Sequence, residues 1–170
     1  MRLKMLDLGR VDLDELCMAL EDNSYEHVWW IDPVSGELEF RPDYYSDTDV
    51  DDADDRALVM VEPIGSGEGY ADMEDFAARV SDPRARDLLL RAISGRGAFR
   101  RFKDTLLEFP ELREEWFRFH GRLMERRAIE WLELAGLITA DAAACALAER
   151  PEPELPALDQ ASAPDAIARN

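Results

Sequence analysis

The eleven residues Ser94-Gly-Arg-Gly-Ala-Phe-Arg-Arg-Phe-Lys-Asp104 place four cations, two glycines and two phenylalanines in a chain otherwise dominated by acid. Guanidinium and ammonium groups at this density could recognise anions, and flanking glycines allow a close backbone approach. With Phe99 at the origin of a helical wheel, Phe102, Leu106 and Phe109 fall within about 80° of it, which predicts a core stripe. Arg96, Arg100 and Lys103 gather on the flank of that stripe, and Arg101 points elsewhere. The basic flank has two possible uses. It could meet an external phosphate, RNA or acidic peptide, or it could pair with the protein's own aspartates, those of 43–55 among them. The chain holds 38 acidic against 20 basic side chains, so internal pairing is the first expectation. Anion or partner binding through Arg96, Arg100, Arg101 and Lys103 is the second.

Other residues with chemical potential are less specific. Asp47-x-Asp49-x-Asp51 opens like a calcium loop, but that pattern next wants glycine where Asp52 stands and glutamate where Leu58 stands. A solvated acidic connection is the better description. Gly65-Ser-Gly-Glu-Gly69 lies between a strand and a helix, yet no Gly-Lys-Ser/Thr follows, and Glu62, Glu68, Asp72, Glu74 and Asp75 would repel a bound phosphate. It reads as a flexible turn. His27 and His120 have no Ser, Cys or Glu at a recognisable catalytic or metal spacing. Cys17 and Cys145 each sit among apolar neighbours and read as buried free thiols. No catalytic residue, metal site or cofactor is expected.

The elements that must position the basic stretch follow from periodicity. Asp12 caps a helix, with Glu15 at the capping-box spacing and Leu13, Leu16, Cys17 and Leu20 on one face. Residues 27–41 predict a hairpin: Val28-Trp-Trp-Ile31, a turn at Asp32-Pro-Val-Ser-Gly36, then Leu38 and Phe40 turned inward between polar neighbours. Ala57–Glu62 predicts a third strand ending at Pro63. From Tyr70 the period is helical, with Met73, Phe76, Ala77 and Val80 on one face. Ser81-Asp82-Pro83 starts a helix through Ile93, Gly95 suits its left-handed cap, and 97–108 forms another. Pro110 opens a long helix that stops at Gly136, and Thr139 caps a short one over 140–148. The fold class is α+β: a small antiparallel sheet of about three strands with an N-terminal helix, followed by a helical half packed on it. The domain expectation is 1–136, with 137–149 an appended alanine-rich helix and 150–170 a disordered tail.

Charge narrows the function classes. The net charge of −18 over 170 residues argues against unassisted binding to nucleic acid or anionic membranes. It is unevenly distributed: residues 1–75 hold 22 acidic and 5 basic side chains, residues 76–136 hold 10 and 13. No window approaches the ~18–20 apolar residues of a membrane span, and the first eight residues turn acidic too soon for a signal peptide. A cytoplasmic setting follows.

Val11-Asp-Leu-Asp-Glu-Leu with Ala19-Leu-Glu21, the Trp30-Ile-Asp-x-x-Ser-Gly-Glu37 hairpin, Tyr70-x-Asp-Met-Glu-Asp-Phe76, and Gly95-Arg-Gly-Ala-Phe-Arg-Arg-Phe-Lys-Asp104 followed by Glu114-Glu-Trp-Phe117 resemble uncharacterised protein family 0158, a bacterial group. The resemblance spans roughly residues 10–135. It implies a bacterial cytoplasmic α+β domain and transfers no activity. The expected role is a non-enzymatic interaction or regulatory module, with a basic protein as partner on grounds of net charge. RNA or nucleotide binding through Gly95–Lys103 is the alternative, and no membrane partner is expected.

Overall fold

A computed structural model describes residues 5–42 and 57–154. The acidic segment 43–55, with its calcium-like Asp47-x-Asp49-x-Asp51, and the tail beyond residue 154 lie outside the described residues. The chain divides into two compact units. One comprises Met1–Ile64 and Gly121–Glu152; the main stretch of the other is Gly65–His120. The second unit's main stretch is therefore inserted between the two pieces of the first.

In the first unit, helix α1 (Leu13–Glu21) begins where expected. The Asp12 carboxylate accepts from the amides of Asp14 and Glu15 at 3.0 and 3.1 Å, satisfying two donors that the helix itself cannot. Strands β1 (His27–Ile31), β2 (Leu38–Pro42) and β3 (Val59–Val61) form one antiparallel sheet in the order β2-β1-β3. The hairpin turn is built by Asp32, whose carboxylate accepts from the amides of Val34 and Ser35. Gly36 closes it at φ +82°, and a Cβ there would meet the Arg10 carbonyl oxygen at 3.1 Å.

The pairing Trp29↔Phe40 and Trp29↔Val61 puts these residues on one sheet face with Ile31, Leu38 and Val59. That face meets a core built from Leu16 and Leu20 of α1 and from Ile129 and Leu132 of α5 (Pro110–Leu134). Phe40, expected to point inward, is 62% exposed. It lies at the middle of an edge strand, outside the core that reaches Leu38, and packs against the rings of His27 and Trp29 instead. Helix α6 (Ala140–Ala148) is capped by Thr139 as expected. It gives Ala143 and Ala146 to the same core. Arg150, where composition starts the tail, is held by Glu125 at 3.3 Å and donates to the Ala146 carbonyl at 3.1 Å.

In the second unit, helix α2 (Ser66–Arg79) starts four residues earlier than its period announces. Ser66-Gly-Glu-Gly69 is its first turn rather than a flexible link. Gly69 has a packing reason: a Cβ there would lie 3.1 Å from Cε1 of Phe99. Helix α3 (Pro83–Ala92) has Asp82 as cap, accepting from the Arg84 amide at 3.0 Å, and Pro83 at its first position. Helix α4 (Ala98–Leu106) follows after a short corner. Phe76, Phe102, Trp116 and Phe119 form the centre of this unit, with Phe102 and Trp116 edge to face at 4.9 Å. Each such pair contributes about 0.5–1.5 kcal/mol beyond its burial. None of the described helices is long and apolar enough to cross a membrane.

Candidate functional site

The basic stretch folds as the corner between α3 and α4. Gly95 and Gly97 both take positive φ, +88° and +72°, so the chain turns from α3 into α4 within five residues without Cβ strain. Gly97 is the cap of α4 and supplies no side chain to its first amides. The corner is fixed from both sides: Ser94 Oγ donates to the Leu90 carbonyl at 3.1 Å, and Arg101 Nη2 donates to the Ser94 carbonyl. The Arg101 guanidinium passes over Gly95, 3.6 Å from where a Cβ would stand. Arg101 is thereby committed to holding the corner.

The remaining cations face outward. Arg96, Arg100 and Lys103 are all exposed. Arg100 lies 3.8 Å from Asp104 one turn along, with 90% of its side chain in solvent, a pair of the kind worth little in water. Neither Arg96 nor Lys103 pairs with a carboxylate among the described residues. Elsewhere in the unit Arg79 and Arg91 pair with Asp75 and Asp87 on their own helices, at 2.8 and 3.0 Å.

Phe102 and Leu106 are buried as the wheel requires, but Phe99 is 44% exposed at the margin of the core stripe. Leu107, one residue past α4, is 62% exposed. Phe99, Lys103 and Leu107 follow one another at i, i+4 and i+8, with Arg100 beside them. The outer face of α4 thus carries two apolar side chains among its cations. Sequence reasoning passed over Leu107, although the wheel already places it about 80° from Phe99 on the Lys103 side.

Each histidine has an aspartate neighbour that sequence spacing does not reveal. His27 Nε2 lies 2.6 Å from Asp22 Oδ2, and the same oxygen accepts from Trp29 Nε1 at 2.8 Å. The Ser24 amide donates to Asp22 Oδ1 at 2.9 Å. The Trp29 indole first, then the Ser24 amide and His27, hold the Asp22 carboxyl below its ordinary value. This cluster ties the end of α1 to the sheet. In the second unit, His120 stacks on Trp116 at 4.9 Å, with Nδ1 3.8 Å from Asp72 Oδ2. Both cysteines are free; Cys17 is half-buried, but Cys145, expected inside, is exposed. The solvent side of α6 explains this, since Ala143 and Ala146 take its inner positions. Burial, then the carboxylates of Glu125, Glu21 and Asp14, push the Cys17 thiol up to about 12. Among the described residues, no group of three or more His, Cys, Asp or Glu is placed to hold a metal ion.

Comparison with known proteins adds a lineage. No solved structure matches the chain. The UPF0158 protein of Pseudomonas aeruginosa is 31% identical over 127 residues, covering 72% of this chain and 81% of the relative. A family model described as Uncharacterised protein family (UPF0158) matches residues 6–151, extending through α6 and beyond the 10–135 span of the motifs. With most of its length matched in this way, the chain belongs to uncharacterised protein family UPF0158.

Proposed function

We propose that the protein is a non-enzymatic interaction module whose contact surface is the α3–α4 corner, and that its partner there is an acidic protein segment. The observation that carries this reading is the outward set of Arg96, Arg100 and Lys103, of which Arg96 and Lys103 pair with no carboxylate among the described residues. Arg101 supports it in another way: its hydrogen bond to Ser94 holds the corner in shape, so the cations start from a defined geometry. Preorganisation of this kind lowers the entropic cost of binding.

The net charge of −18 does not forbid an acidic ligand. At physiological salt the screening length is about 8 Å, so a short peptide responds to the charges beside it rather than to the chain's total. A long polyanion such as RNA samples more of the acidic surface and is disfavoured on the same argument. A basic partner for the acidic N-terminal part rests on charge totals alone, whereas the corner rests on named side chains. A cytoplasmic setting belongs to the same reading and is supported by two free cysteines.

The test is fluorescence anisotropy with a labelled polyglutamate peptide. Binding is expected, weakening as salt rises, and lost in the triple variant Arg96→Ser, Arg100→Ser, Lys103→Ser with its circular dichroism unchanged. Equal binding by the triple variant, or none by the parent, would sink the proposal.

A further inference from the structure

The cations of the corner do not stand alone, and the side chains among them specify the partner more narrowly. We infer that the acidic segment is an amphipathic helix, one that sets apolar side chains against Phe99 and Leu107 while its carboxylates meet Arg96, Arg100 and Lys103. This deepens the reading just given and rests on it.

Three observations lead there. First, the inner side of α4 is fully used, with Phe102 and Leu106 at 0% and 1% exposure. Phe99 and Leu107, at 44% and 62%, are therefore not the unfinished edge of a loosely packed helix. Second, Phe99 is braced: its ring lies against α2 where Gly69 has no side chain, and a Cβ there would come within 3.1 Å. A ring fixed in this way keeps its outer edge turned to solvent and gives a rigid apolar anchor. Such anchors dominate the energetics of interfaces. Third, the spacing is helical. Phe99, Lys103 and Leu107 lie one turn apart, so the apolar contacts alternate with a cation along about 12 Å of surface. A ligand matching that alternation needs apolar groups a turn apart with acid between them, which one face of a helix provides. A polyanion without apolar groups would leave both anchors wet.

An anionic membrane shares the charge and the greasy edge, but it meets the molecule as an extended plane. It would bring a chain of net charge −18 against an extended surface of the same sign. A helical peptide covers the corner and little else.

The experiment uses the full chain and four probes of matched length or composition: a labelled acidic amphipathic peptide of about five helical turns, polyglutamate of equal charge, mixed-sequence single-stranded RNA, and vesicles with about a quarter anionic lipid. The amphipathic peptide is expected to bind about tenfold more tightly than polyglutamate, the contribution of one well-buried leucine-sized contact. Leu107→Ser should remove most of that advantage while leaving polyglutamate binding unchanged, and its exposed position makes misfolding no confound. Phe99→Leu serves as the second variant, since it keeps an apolar group against Gly69 while shortening the anchor, and it should lose part of the advantage. Equal affinity for the two peptides, or an advantage undiminished by Leu107→Ser, overturns the amphipathic inference but leaves the acidic-partner reading standing. Binding to RNA or vesicles in preference to both peptides overturns both, as does the absence of binding to any probe.

Discussion

At the scale of single residues, the most heavily used carboxylate described above is that of Asp22. One oxygen accepts from the Trp29 indole and faces His27, and the other takes the Ser24 amide. Because the folded state holds this carboxyl below its value of 3.8 in the unfolded chain, its contribution is present above that value. It is lost as pH falls through the lower, folded value. Asp22→Ala should destabilise the protein by about 2 kcal/mol at neutral pH, and Asp22→Asn by less, since one acceptor remains. Chemical denaturation of the two variants at pH 7 and near pH 3 checks both statements: the gap between parent and Asp22→Ala should narrow in acid, and a constant gap would refute the assignment. The thiols make a second case. With Cys17 raised to about 12 and Cys145 exposed, a thiol-exchange reagent at pH 8 should label Cys145 promptly and Cys17 only after unfolding. Two fast thiols would contradict that burial.

At the scale of elements, local chemistry carried most of the information. Asp12, Asp82 and Thr139 all cap the helices that the sequence assigns to them, because a side-chain acceptor beside three unsatisfied amides has one favourable arrangement. The hairpin was equally legible through Asp32 and Gly36. The misses share a cause: each depended on a neighbour distant in sequence. The first turn of α2 contains Gly67 and Gly69, poor helix formers, and Gly69 makes sense only once Phe99 is seen against it. Phe40 alternates correctly for an inward position, but alternation cannot say how far a core extends under a strand. The basic corner was visible as a composition; that Arg101 holds the turn while Arg96, Arg100 and Lys103 face outward needed coordinates. Two glycines then test the element-level account in opposite directions. Gly36→Ala should cost about 2 kcal/mol, because a positive φ and a carbonyl oxygen 3.1 Å away leave the methyl no relief. Gly121→Ala, in the middle of α5 with nothing within 4 Å, should stabilise by about 0.5–1 kcal/mol. Thermal unfolding of both variants decides it, and the same sign for both would be the failing result.

At the scale of the whole molecule, charge is the dominant quantity. A net charge of −18 on 170 residues makes self-repulsion a standing cost of compactness. Raising sodium chloride from about 20 mM to about 200 mM shortens the screening length several-fold and should raise the melting midpoint by a few degrees. A falling midpoint would mean that the native ion pairs, rather than the repulsion, control stability.

The insertion of one unit within the other also sets an order of events during synthesis. Strands β1 to β3 have been synthesised by Val61, yet the core that they need includes Ile129, Leu132 and Ile138, and the Leu6 amide donates to the carbonyl of Leu137. At roughly 5–20 residues per second, the nascent sheet waits on the order of ten seconds for those partners. The helices of Gly65–His120 arrive in one contiguous stretch and can close on their own aromatic centre during that interval. The part made first is thus completed last, with Val28-Trp-Trp-Ile31 unprotected in the meantime. A chain cut short near residue 134 would therefore show its damage about a hundred positions upstream, at its own beginning.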